Sequence, residues 1–111
     1  MTSIFDKLVP IVNRYDEIEQ LMADPEVATD FARIQELGKE RASLDELVDF
    51  SNKYQNLLRE QGDLQSVLSD GGDPELVVMA REELESVEDQ LLTLAEALQF
   101  ALLPKDPNDD R

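Results

Sequence analysis

Apolar residues recur every three or four positions along most of the chain, which is the spacing of one face of an α-helix. In the first segment they form a stripe of Ile4, Leu8, Ile11, Tyr15, Ile18 and Met22. Ser3, with Asp6 three residues later, predicts an N-terminal cap. Pro10 implies that the regular helix begins near Val9 or is kinked there, because an interior proline costs about 3 kcal/mol. We expect this helix to stop at Asp24-Pro25.

A second helix is predicted to begin at Thr29 or Asp30, with Phe31, Ile34 and Leu37 on its buried side. Ser43-Leu44-Asp45-Glu46 then matches the capping box, in which a serine is followed by glutamate at the third position. That pattern indicates either a new helix start or a kink in one long helix. The sequence leaves open whether residues 27–69 form one helix or two.

Two regular heptad stripes follow, separated by a turn. The first consists of Leu47, Phe50, Tyr54, Leu57, Gln61, Leu64 and Leu68. The second consists of Val77, Ala80, Leu84, Val87, Leu91, Leu94, Leu98 and Ala101. Between them, Gly71 and Gly72 suit a left-handed helix end, Asp73 suits an N-cap and Pro74 suits the first helical position. Because the turn is so short, the two helices must run antiparallel.

Several apolar residues lie off these seams and offer a second face for the N-terminal helix, namely Val48, Leu58, Leu92 and Leu102. The predicted fold is therefore all-α. We expect a long, antiparallel, coiled-coil-like helical hairpin of three to four helices in all, with the N-terminal helix packed along it.

Composition restricts the chemistry available to these 111 residues. The sequence contains no cysteine and no histidine, which excludes thiolate and imidazole metal ligands and histidine-based catalysis. The carboxylates near Glu82 and Glu88 fall on a predicted helix surface without a cleft, where general acid–base catalysis is not expected. No apolar run is long enough to span a membrane and no signal peptide opens the chain. We expect a cytoplasmic protein without enzymatic activity, cofactor, metal site or membrane contact.

The net charge of −16 argues against direct binding of nucleic acid, because phosphates repel such a surface. The charge is unevenly distributed. Residues 75–99 carry seven acidic residues against one arginine, Arg81, whereas residues 27–42 carry three acids and three bases. The acidic stretch reads either as a solvated helix surface or as a docking face for a basic partner. The candidate partner-binding residues are the three bases Arg33, Lys39 and Arg41.

The last ten residues, Leu102-Leu103-Pro104-Lys105-Asp106-Pro107-Asn108-Asp109-Asp110-Arg111, are unlike the helices before them. Two prolines interrupt the helical pattern, which predicts a linker over residues 102–111, leading from a helical domain over 1–101 toward a further domain. This stretch resembles the segment that leaves the N-terminal helical domain in bacterial class I peptide chain release factors of the release factor 1 type. Asp24-Pro25-Glu26-Val27 and Leu37-Gly38-Lys39-Glu40-Arg41 resemble the same family.

The resemblance implies the N-terminal domain of a translation-termination factor that acts in the ribosomal A site and reads UAA and UAG. It implies docking near the base of the ribosomal stalk, on the stalk-base protein, and communication with the termination recycling GTPase. Stop-codon reading and peptidyl-tRNA hydrolysis would belong to other domains, through a Pro-containing tripeptide and a Gly-Gly-Gln tripeptide. Neither occurs here, since Gly71-Gly72 is followed by Asp73. The resemblance assigns no catalytic residue to this chain.

An alternative is a free-standing acidic coiled-coil adaptor or scaffold that self-associates through its heptads. Heptad stripes alone do not separate the two hypotheses, because many helical hairpins carry them. The Pro-containing tail favours the release-factor hypothesis. Self-association of the isolated chain remains open at this point.

Overall fold

The computed structural model describes residues 3–103, and every regular element in this range is helical. A short 3-10 helix over Ile4–Leu8 leads into α1, Val9–Ala23. The helices α2, Pro25–Ala28, α3, Phe31–Asp70, and α4, Pro74–Ala101, follow. The all-α prediction is confirmed. The predicted linker lies outside the described residues from Pro104 onward.

The helix boundaries follow the capping residues of the sequence. The Ser3 hydroxyl accepts a hydrogen bond from the Phe5 amide at 3.2 Å, and the Ser3 amide donates to Asp6 Oδ2 at 3.0 Å. Because the first turn is a 3-10 helix, Pro10 is the second residue of α1 and displaces no interior hydrogen bond. The α-helix therefore begins at Val9, one of the two predicted alternatives.

The α3 helix is one continuous element of 40 residues, so no new helix begins near residue 43, whereas Val27 and Ala28 belong to the separate α2. Ser43 does not begin a helix. Its hydroxyl donates to the Glu40 carbonyl oxygen at 2.6 Å, a bond within the helix that satisfies the side chain without a break in the backbone.

The turn between α3 and α4 has the predicted chemistry. Gly71 and Gly72 adopt φ values of +71° and +98°, a left-handed conformation that glycine adopts at little cost. Asp73 caps α4, since its Oδ1 accepts a hydrogen bond from the Glu75 amide at 3.0 Å. Pro74 is the first residue of the helix.

The chain divides into two compact units, with the division inside α3 after Lys53. In the first unit, α1 and α2 pack against the beginning of α3. Ile18, Val27 and Leu37 form its buried cluster, and Leu44 is among the half-buried residues packed against them. The three buried residues of this cluster are all aliphatic.

The second unit contains the end of α3, the turn and α4, which form an antiparallel helical hairpin. Ala80, Val87 and Leu98 are buried in it. All other predicted seam residues of the two stripes are at least half-buried, including the polar Gln61. The predicted heptad faces are therefore confirmed.

Two residues expected to be buried are exposed. Phe31 is 74% exposed because six residues turn a helix by about 240° beyond one full turn, which places it about 120° from Leu37. Leu92 is 64% exposed and does not belong to a second packing face. The other members of that predicted face, Val48, Leu58 and Leu102, are half-buried.

Candidate functional site

Polar side chains of α1 and α3 meet in the first unit beside its apolar cluster. Arg14 of α1 donates two hydrogen bonds to Glu40 of α3, from Nε to Oε2 at 2.6 Å and from Nη2 to Oε1 at 2.8 Å. Arg14 Nη1 also donates to Glu17 on its own helix. The planar guanidinium matches the two carboxylate oxygens of Glu40, a geometry that lysine could not reproduce.

A second contact between α1 and α3 is made by the next residue of each helix. The Arg41 guanidinium stands over the Tyr15 ring, 5.2 Å from its centroid, and Arg41 Nη2 lies 3.7 Å from Glu19 Oε2. Arg41 Nε is buried and has no hydrogen-bond partner within residues 3–103. Arg41 is therefore held between the two helices by an aromatic ring and a carboxylate.

The electrostatics of this cluster follow from these contacts. Hydrogen bonds to Glu40 and Glu17 raise the pKa of Arg14, and the bond from Arg14 lowers the pKa of Glu40. Burial raises the pKa of the Tyr15 phenol, and a hydrogen bond with the Asp45 carboxylate raises it further. At neutral pH the cluster keeps fixed charges and a neutral phenol, which suits helix–helix attachment rather than proton transfer.

The three candidate partner-binding residues do not share one surface. Arg33 and Lys39 are exposed, but the helical rotation places them about 120° apart around α3. Arg41 is half-buried and engaged with Tyr15 and Glu19. The three bases are close in sequence, but Arg33 and Lys39 lie on different sides of α3 and the partly exposed Arg41 also contacts α1.

The sequence pattern did not predict the contacts of Arg14 and Tyr15 with α3. The pair of Arg14 with Glu17, three residues apart, is visible as a helix-surface ion pair. Nothing in the linear sequence connects Arg14 with Glu40, which lies 26 residues away. That contact depends on the packing of α1 against α3.

No arrangement within residues 3–103 points to a cofactor or metal. No group of three or more Asp, Glu, His or Cys residues there is placed to hold a metal ion. An open depression on the first turns of α4 is lined by Pro74, Glu75, Val78, Met79 and Glu82. None of the helices over residues 3–103 combines the length and apolar character that a membrane crossing requires.

Comparisons with known proteins identify the family. The model of the PCRF domain matches residues 11–111. The chain is 40% identical to peptide chain release factor 1 of Ligilactobacillus salivarius over all 111 residues, which cover 31% of that protein. It is 42% identical to peptide chain release factor 1 of Lactococcus lactis subsp. cremoris over 97% of this chain and 30% of the relative.

The chain thus spans about a third of the length of these relatives. No solved structure matches it. The resemblance to the helical domain of release factor 1-type proteins, first seen in the tail and in the segments after Asp24 and Leu37, is confirmed over the whole chain. The chain belongs to the PCRF domain family and is similar in sequence to bacterial peptide chain release factor 1.

Proposed function

We propose that this chain is the ribosome-docking domain of a translation-termination factor. The observation that carries the proposal is 40% identity to a peptide chain release factor 1 along the full 111 residues. Because the similarity covers the whole chain, it includes both helical units and the last ten residues. The fold and its surface would therefore serve the role that the domain has in those relatives.

In this proposal the chain performs no chemistry. It has no histidine or cysteine, and its polar cluster joins two helices instead of lining a cleft. Stop-codon reading and peptidyl-tRNA hydrolysis would belong to other domains of a complete factor. The docking domain would contribute to the factor's position on the ribosome and to communication with the recycling GTPase.

We place the docking contact on protein rather than RNA, at the stalk-base protein. A net charge of −16 disfavours a phosphate backbone, and counterion release needs clustered cations that this chain lacks. Of the three candidate bases, Arg33 and Lys39 are exposed and available for such a contact. Exposed ion pairs contribute about 0–1 kcal/mol each and are screened by salt, so the isolated domain should bind poorly by itself.

A chimera tests this function. The corresponding domain of Ligilactobacillus salivarius release factor 1 is replaced by this chain, and peptide release is measured on ribosomes programmed with UAA, UAG or a sense codon. We expect stop-codon-dependent release close to that of the parent factor. The chain added alone should release no peptide.

The matched control is a chimera that carries an unrelated acidic helical hairpin of the same length. If both chimeras release peptide equally well, the domain has no specific docking role. If the chain alone self-associates tightly and its chimera is inactive, the adaptor hypothesis is favoured. In the active chimera, Arg33→Ala and Lys39→Ala would show whether these bases contribute to ribosome affinity.

A further inference from the structure

The junction between α3 and α4 contains a pair of residues with a specific covalent chemistry, Asp70 followed by Gly71. It is the one Asp-Gly pair in the sequence, and no Asn-Gly pair occurs. An aspartate side chain is attacked most readily by the backbone nitrogen of the next residue when that residue is glycine, because no Cβ hinders the approach. The helix end and the turn use the conformation of this pair but not its reactivity.

Asp70 and Gly71 are accessible in the structure. Both are exposed, Asp70 is the last residue of α3, and Gly71 has a φ of +71°. The space around Gly71 is open, since a Cβ built there would meet no atom within 4 Å. The Asp70 carboxylate forms no hydrogen bond or ion pair with another residue of the described range 3–103. Neither packing nor pairing therefore holds this side chain away from the backbone that follows it.

A backbone hydrogen bond restrains the reacting nitrogen. The Gly71 amide donates to the Val67 carbonyl oxygen at 3.2 Å, at the end of α3. This bond must open before the nitrogen reaches the carboxyl carbon of Asp70. Helix ends open locally at a lower free energy than helix interiors, so the restraint is weak here. Gly72, at a φ of +98°, adds no side chain that would hold the turn closed.

Every other aspartate in residues 3–103 is followed by a proline or by a residue with a side chain. Asp24 and Asp73 precede prolines, whose nitrogen carries no hydrogen, and both carboxylates already accept a hydrogen bond from a backbone amide. Asp63 lies inside α3 before Leu64, where the helix fixes the backbone and a bulky side chain follows. Within the described range, Asp70 alone combines exposure, a helix end and a following glycine.

We propose that Asp70 is a site of spontaneous modification, at which aspartate converts to isoaspartate through a succinimide. The Gly71 nitrogen forms a bond to Asp70 Cγ, and one carboxyl oxygen leaves as water together with the amide and carboxyl protons. Water then adds to the five-membered ring. Addition at Cγ restores aspartate, whereas addition at the main-chain carbonyl carbon of Asp70 gives isoaspartate, in which the main chain runs through Cβ and Cγ. The reaction needs only water and leaves the atomic composition of the chain unchanged.

The modification changes the geometry of the helix junction. Isoaspartate inserts one methylene into the main chain before Gly71 and leaves the former main-chain carboxyl group as a side group. The Gly71 amide then moves away from the Val67 carbonyl oxygen, so the hydrogen bond at the end of α3 is lost. The cap of α4, from the Glu75 amide to Asp73, does not depend on that bond. The inference requires no role in termination and goes beyond the docking function proposed above.

Ageing of the full 111-residue chain tests the proposal. The folded chain is incubated at neutral pH over several weeks, in parallel with a sample unfolded in guanidinium chloride. Isoaspartate is quantified by methyl transfer with protein isoaspartate methyltransferase, and its position is determined by chromatography and fragmentation mass spectrometry. In the folded chain, the peptide that contains Asp70 should separate into two species of equal mass. Peptides that contain Asp24, Asp63 or Asp73 should remain single species.

Matched variants verify the reacting group. Asp70→Glu should lose the methyl acceptance, because the longer side chain cannot form the five-membered ring. Asp70→Asn should react faster than the natural chain, with ammonia as the leaving group and conversion of the amide to an acid. Asp63→Glu is the matched control and should leave the signal unchanged. Circular dichroism of each variant verifies that the helix content is retained.

Absence of isoaspartate at residue 70 in the folded chain would overturn the proposal. If isoaspartate accumulates there only in guanidinium chloride, the end of α3 protects Asp70 instead of exposing it to reaction. Equal conversion at Asp63 or Asp73, or methyl acceptance by Asp70→Glu equal to that of the natural chain, would also overturn it, because the reaction would then not depend on the Asp70-Gly71 pair.

Discussion

Arg14 and Glu40, 26 residues apart in sequence, form a bidentate ion pair that joins α1 to α3. Arg14 Nε lies 2.6 Å from Glu40 Oε2, and Arg14 Nη2 lies 2.8 Å from Glu40 Oε1. Each side chain is 39% exposed, so water still reaches the pair. Its contribution comes from geometry, because two parallel hydrogen bonds define the register of one helix against the other. Arg41 over Tyr15 makes the neighbouring contact between the same helices.

The first prediction concerns this pair. Arg14→Ala and Glu40→Ala should each lower the melting temperature by a few degrees, and the double variant should lose less than the sum of the two. The reason is that each single change removes the same interaction. Urea unfolding of the four proteins measures the coupling. Arg33→Ala, which removes an exposed arginine from α3 without such a pair, is the control; strict additivity would mean that the pair contributes nothing.

The second prediction is a pH dependence of the same contact. The hydrogen bond from Arg14 lowers the pKa of Glu40 in the folded chain, so the unfolded chain takes up the proton first on acidification. The stabilisation is therefore present above the ordinary glutamate value of 4.5 and is lost as the pH falls through the folded pKa. The stability difference between the natural chain and Glu40→Gln should shrink below pH 4.5. A difference that does not vary with pH would contradict this assignment.

The third prediction separates three leucines of α4 by burial. Leu98 is fully buried, and Leu98→Ala should cost about 2–5 kcal/mol of unfolding free energy. Leu91 is half-buried on the seam, so Leu91→Ala should reduce the unfolding free energy less than Leu98→Ala does. Leu92, adjacent in sequence but 64% exposed, should cost less than about 0.5 kcal/mol. Chemical denaturation gives the three values, and a loss at Leu92 equal to that at Leu98 would show that the seam is misplaced.

The fourth prediction uses two kinds of glycine. Gly71→Ala and Gly72→Ala place an L-residue at positive φ and should each destabilise by about 1–2 kcal/mol, although the added Cβ meets no atom within 4 Å. Gly62 lies inside α3 with equally open space around it. Gly62→Ala should therefore stabilise the chain by about 0.5–1 kcal/mol, through helix propensity alone. Thermal unfolding compares the signs, and destabilisation by all three would indicate crowding rather than backbone conformation.

The sequence by itself determined the helical class, the seams and most boundaries. Heptad spacing identified the buried face from Val77 to Ala101, because a side chain's direction on a helix depends only on its position. Capping was equally local. The side chains of Ser3, Asp24 and Asp73 each accept a hydrogen bond from the backbone amide two residues later, and the Ser3 amide donates to Asp6. The release-factor resemblance also needed only the linear order of residues.

Tertiary structure decided what local pattern could not. Ser43 has the pattern of a helix start, yet its hydroxyl donates a hydrogen bond to Glu40 within α3. Leu37 and Leu44, on either side of it in sequence, both belong to the packed cluster of the first unit, so the helix continues. Arg41, a candidate for partner binding, also contacts Tyr15 and Glu19, which reach it only when α1 folds against α3. Periodicity states which residues share a face, whereas only packing between distant segments decides which faces are covered.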